Sequence, residues 1–150
     1  MRRISVQLEE LLSYALFQEI LHQLEKLEIQ GQLANLSPVE QAKCFYYKSR
    51  ALERLSQFEE ALQVAIQART ELLSPEDKIP RLILLIAQLY ALWRLNRNEE
   101  IKTAITKSDT ILESLSTSEH NAATEWRALY YNMKGNIYHS QGELDSAIEY

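Results

Sequence analysis

Side chains suited to proton transfer or metal ligation are thinly spread: three histidines, His22, His120 and His139, and a single cysteine, Cys44. Hydrolytic or transfer chemistry needs a nucleophile beside a base, paired carboxylates in a pocket, or a cluster of ligands. The histidines stand far apart along the chain. Glu19 and His22 form one Glu-x-x-His, half of what a carboxylate-bridged metal pair in a helical bundle requires, and the second motif with its further glutamates is missing. Gly-rich phosphate loops, Cys-x-x-Cys and His-Glu-x-x-His are missing as well. The expectation is therefore no enzyme, no metal and no cofactor, with Glu19 and His22 on the surface. Cys44 has no intrachain partner and is expected to act as a small buried hydrophobe in a reducing compartment, which places the chain in the cytoplasm.

With chemistry set aside, the elements become the question. The 150 residues contain three glycines and three prolines, far below the usual ~7% and ~5%, so the turns of a many-stranded protein cannot be built. Apolar residues recur at helical spacing, as in Leu8, Leu11, Leu12 and in Leu82, Leu85, Ile86, Leu89, and alternation never persists. The longest apolar run, Leu82 to Ala87, is far short of the ~20 residues that span a bilayer. No export signal is read at the N-terminus, where acids follow Arg2 and Arg3. A net charge of −5 with no cluster of Lys and Arg disfavours nucleic acid. Neither a membrane nor a nucleic acid is an expected partner.

Start signals divide the chain. Ser37-Pro38-Val39-Glu40 combines an N-cap serine, a first-turn proline and a reciprocating glutamate, Ser74-Pro75-Glu76-Asp77 repeats the device, and Ser118 to Asn121 offers a third cap. Turns are expected near Ala15, Ser56 and Asn96. About eight helices follow: 5–14, 17–30, 38–55, 58–73, 76–95, 98–115, 119–141, and one beginning near Glu143. Pro80 disfavours helical geometry just before it, so regular helix in the fifth element can begin as late as that residue.

The helices pair, and the pairs repeat in one register. Ile4, Leu8, Leu11 with Ile20, Leu24, Leu27; Phe45, Ser49, Leu52 with Ala61, Ala65, Ala68; Leu85, Leu89, Leu92 with Ile101, Ile105, Ser108; and Tyr131, Gly135, Tyr138 with Ala147 occupy the same offsets. Four units result, at about 1–36, 37–74, 75–117 and 118–150, within a single domain spanning 1–150.

Aromatic, small and aromatic residues on a first helix, with alanines on the second, are the pattern of the tetratricopeptide repeat family, which the chain resembles over essentially its whole length. Tyr131-Gly135-Tyr138-Gly142-Ala147 carries the resemblance best, then Phe45-Ser49-Leu52-Ala61-Ala68. It implies an all-α, right-handed α-solenoid of antiparallel helix pairs, with the last repeat truncated, as in the front part of a longer array or an end that packs on another copy. Two features depart from the family. The repeats are spaced by about 40 residues rather than 34, as in the long-repeat variants of prokaryotic regulators, and Lys48 and Lys134 stand where an apolar residue is usual, their stems expected along the groove.

The resemblance further implies a concave groove lined by first helices: Lys43, Tyr46, Arg50 and Glu53, then Ile86, Tyr90 and Trp93, then Asn132, Asn136 and His139. First helices in the middle of the chain lean basic and aromatic, whereas second helices lean acidic through Glu59, Glu60, Glu71, Glu99, Glu100 and Asp109. The expected function is a protein-interaction scaffold that holds an acidic peptide segment of a partner, with Tyr46, Arg50, Tyr90 and Trp93 as anchors. A ligand-gated regulator that closes on a small peptide, and an assembly unit that works through its end faces, are the alternative readings.

Overall fold

The computed structural model describes the backbone of residues 3–149 and the side chains of residues 3–142. Among these residues the chain is all-helical. Its elements are α1 (Ile4–Ser13), α2 (Phe17–Ile29), a 3-10 turn (Leu33–Asn35), α3 (Pro38–Arg54), α4 (Phe58–Leu72), α5 (Lys78–Leu95), α6 (Asn98–Ser114), α7 (Thr117–Ala122) and α8 (Thr124–Glu149). No described helix is long and apolar enough to cross a membrane.

Packing follows chain order. α1 meets α2 and α3, α2 meets α3, α3 meets α4 and α5, α4 meets α5, and α5 meets α6 and α8. With neighbours on all sides, α5 can be apolar all round, and every residue from Leu82 to Leu89 is buried. This accounts for the uninterrupted run from Leu82 to Ala87. Inside it, the buried Gln88 accepts a hydrogen bond from Arg69 Nε at 2.8 Å, so its polar head is not left unpaired.

Burial in the first three helix pairs is compatible with the repeat register, whereas Gly135, at the same offset in α8, is exposed. Leu8, Ser49 and Leu89 are buried at one position of the first helices, and Ile20, Ala61 and Ile101 at the facing position of the second. Where both are small, the helices come close enough for Ser49 Oγ to donate to the Ala61 carbonyl at 2.8 Å. Arginines repeat too: the Arg54 guanidinium lies 5.7 Å from the Phe17 ring, and Arg94, about 40 residues on, lies 4.8 Å from Phe58. Each ties the end of a first helix to the second helix of the pair before it.

The three expected turns share one geometry. Ala15, Ser56 and Asn96 have φ of 58°, 65° and 57°, the left-handed conformation that closes a helix. In each, the next amide reaches back five residues: Leu16 to Leu11, Gln57 to Leu52, Arg97 to Leu92, at 2.8, 2.8 and 3.2 Å. The helices that follow, α2, α4 and α6, have no side-chain N-cap; the turn itself aims the chain. Left-handed geometry costs a residue with a Cβ about 1 kcal/mol, less for asparagine. Ala15→Gly and Ser56→Gly are expected to raise the unfolding free energy by about 0.5 to 1 kcal/mol each and Asn96→Gly by less, as urea titration reads it. No gain at Ala15 and Ser56 would show that these turns are not strained.

Four boundaries differ from the sequence expectation. α5 begins at Lys78, not at residue 76 or Pro80, because Pro80 falls in the first turn, where amides have no intrahelical acceptor. Ser74 does not cap it; the Ser74 amide and hydroxyl both donate to Asp77 Oδ2, at 2.9 and 3.2 Å, which closes a separate turn. The expected helix 119–141 is instead split at Ala123, and the cap is Ser116, which forms a reciprocal capping box with Glu119. Finally, α8 runs through Gly142, so no new helix begins near Glu143. The residues after Gly142 are mostly good helix formers and glycine can follow them into the helix. Ala147 lies outside the described side chains. From residue 118 to 149 the described backbone thus holds the rest of α7 and one long helix, α8, with Gly135 and Gly142 in its interior, where the sequence reading expected a pair of helices. Inside a helix each glycine costs ~1 kcal/mol relative to alanine, and among the described residues a Cβ at either would meet no atom within 4 Å beyond the helix's own nearby backbone.

Candidate functional site

Helical spacing puts Tyr46, Arg50 and Glu53 on one face of α3, and the same spacing puts Ile86, Tyr90 and Trp93 on the adjoining face of α5. The two faces meet. The Arg50 guanidinium stacks 3.6 Å from the centre of the Tyr90 ring, within range of a strong cation–π contact. Its Nη1 donates to Glu53 Oε1 at 3.2 Å, and Arg94 Nη1 stands 3.6 Å from Glu53 Oε2. Glu53 is only 4% exposed, so two cations share one buried carboxylate and the cluster is net positive. Its hydrogen bonding is incomplete: Glu53 Oε2 and Arg50 Nε are both buried without a hydrogen-bond partner. Burial pushes the Tyr90 hydroxyl above its ordinary pKa, against the opposing pull of Arg50.

Tyr46 is placed differently from the other anchors. It is 4% exposed because Trp126, from the start of α8, packs edge-on against it with ring centroids 5.0 Å apart, and Tyr47 does the same at 5.1 Å. Burial accordingly raises the Tyr46 pKa well above the usual range. Ile86 is fully buried. Lys43 and Trp93 are half-buried; Lys43 Nζ is 3.9 Å from Glu40, whose carboxylate also accepts from Ser5 Oγ of α1 at 3.0 Å. Asn132, Asn136 and His139 are exposed on α8. The structure therefore brings Arg50, Glu53 and Tyr90 into one cluster beside Tyr46, with Lys43 one turn before Tyr46 on the α3 face, and puts the three α8 residues on a separate helix.

Two participants escaped the sequence reading of the site. Arg94 completes the charge cluster; its recurrence about 40 residues after Arg54, each following a phenylalanine of the preceding second helix, was the available signal. Trp126 covers Tyr46 across some 80 residues of sequence, a contact that no local period encodes. Lys48 and Lys134 reach acids on preceding second helices, Glu28 at 3.4 Å and Asp109 at 3.0 Å. Asp109 also accepts from the Tyr130 hydroxyl at 2.6 Å. Cys44 is buried, and desolvation, aided by Glu40, pushes its thiol up to about 12, which keeps it protonated and unreactive near neutrality. Glu19 and His22 are exposed. Comparison with protein-family models, curated proteins and solved structures finds no match.

Proposed function

We propose that the chain is a tetratricopeptide-like, right-handed solenoid of helix pairs that holds a peptide segment of a partner protein against the face formed by α3 and α5. The observation that supports this is the half-satisfied cluster of Arg50, Glu53, Tyr90 and Arg94. Buried groups without hydrogen-bond partners are costly, and a stacked arginine beside a tyrosine is the kind of surface on which binding energy concentrates. Arg94, 44% exposed, is the cation a ligand can reach, with Trp93 beside it as the apolar anchor and Lys43 along the face as a second positive charge. An acidic segment carrying an aromatic or aliphatic residue fits. Tyr46 serves such a site as the wall that Trp126 braces rather than as a contact. The recurrent left-handed turns and the repeated arginine-on-phenylalanine contacts are consistent with the repeat architecture, and no catalytic role is proposed.

Selection from a random peptide library displayed on phage tests the reading. Enriched peptides are expected to share an acidic residue near a large apolar one, and the variant Trp93→Ala/Arg94→Glu, with helicity unchanged, is expected to lose about tenfold or more in affinity for them. Failure to enrich any sequence, or equal binding by the variant, would overturn it.

A further inference from the structure

Over its described side chains, Thr124 to Gly142, α8 packs by one side only. Trp126, Tyr130, Met133 and Ile137 are buried, and at ~100° per residue the opposite side presents Ala128, Tyr131, Gly135, Tyr138 and Gly142, all exposed. These five alternate small and large at spacings of three and four residues, the spacing of a coiled-coil seam. Tyr131 and Tyr138 are 53% and 52% exposed, and the two glycines are unexplained by any packing among the described residues. In register, the same face of α3 is filled by α4 through Ser49 and Ala61.

We infer that this stripe is a two-fold dimer interface in which α8 of one copy lies antiparallel on α8 of a second copy. Antiparallel pairing sets each large residue opposite a small one: Tyr131 on the second copy's Gly135, Tyr138 on the second copy's Ala128, and both again by symmetry. A self-complementary surface of this kind is what a two-fold contact demands. Polar pairing agrees with the same register. The exposed Glu125 at one end of the seam faces the second copy's His139 at the other. The one meeting of like charges, Lys134 with its copy, is offset by Asp109, which holds each ammonium at 3.0 Å. Gly142 closes the far end opposite the second copy's Thr124, so the seam runs ~27 Å at ~1.5 Å per residue. A single pair of helices over that length makes a small contact beside the ~1,200 Å² of a standard stable interface, so a weak dimer is expected, with a dissociation constant on the order of tens of micromolar.

Sedimentation equilibrium of the full chain from about 1 to about 500 µM brackets that range. Wild type is expected to pass from monomer to dimer, and Tyr131→Glu/Tyr138→Glu, whose sites are exposed and leave the core intact, to weaken dimerisation about tenfold or more. Gly135→Ala separates the interface from the fold: it is expected to raise Tm by about 2 to 4 °C, since alanine favours helix and meets nothing in the monomer, while weakening the dimer by filling the space for Tyr131. Orientation is read from single-cysteine chains. Tyr131→Cys and Gly135→Cys, mixed and oxidised, are expected to link to each other and not to themselves, with the buried Cys44 protected. A chain that stays monomeric throughout, a dimer indifferent to the glutamates, or self-linking of Tyr131→Cys would each overturn the inference.

Discussion

Replacing Leu89 with alanine is expected to lower the free energy of unfolding by about 3 to 5 kcal/mol. Leu89 is fully buried in α5, the helix that meets α3, α4, α6 and α8. The lost transfer energy is only part of the cost. A cavity at this position is bounded by helices that are themselves braced from behind, so its walls cannot move in to close it, and the spread of measured costs at one residue type reflects that freedom to collapse. Urea titration should show a lower midpoint with an unchanged slope, because the surface exposed on unfolding stays the same. Leu72→Ala is the internal control: at 46% exposure it should fall within about 0.5 kcal/mol of wild type. A cost at Leu89 near 1 kcal/mol would mean that the third helix pair opens independently of the second, as loosely coupled repeats do.

Why Leu89 could be placed in the core from sequence, while Tyr46 could not be recognised as covered, comes down to the range of the forces involved. The register that aligns Leu8, Ser49 and Leu89 is local and periodic, and so are the turns at Ala15, Ser56 and Asn96, each fixed by a six-residue closure. Caps are local too, and the S-x-x-E signal at Ser116 and Glu119 is as plain as that at Ser37 and Glu40; Ser118 lacks the acid three residues on. At Ser74 the expected serine–acid pair does form, but it closes a turn ahead of α5 instead of starting the helix, because the chain does not turn helical until Lys78. Gly142 marks the limit of local reasoning. Glycine suits a left-handed turn and tolerates a helix, and in this register it stands where Ala15, Ser56 and Asn96 turn, yet α8 passes straight through it. What decides between turn and helix is whether packing elsewhere rewards the reversal. The candidate site shows the same division: periodicity put Arg50, Glu53 and Tyr90 on facing surfaces, whereas the contact of Trp126 with Tyr46 depends on how α8 lies across the earlier helices.

The charge cluster gives the second large effect. Arg50→Met is expected to destabilise the fold by about 3 kcal/mol, because it leaves the Glu53 carboxylate buried with only Arg94 nearby, at a distance longer than a hydrogen bond. Glu53→Leu removes the buried charge instead; it leaves Arg50 stacked on Tyr90 without its anion and should cost less, since a guanidinium 15% exposed can turn its head toward water. The double variant Arg50→Met/Glu53→Leu should recover much of the loss, as apolar replacements of buried ion pairs commonly do, giving a coupling energy of about 2 kcal/mol in a double-mutant cycle. A coupling near zero would show that Arg94 alone satisfies Glu53, or that water reaches the pair. The cycle also separates fold from function. A double variant that is as stable as wild type yet holds no acidic peptide would place the charges of this cluster in the service of binding, because the fold would have been shown not to need them.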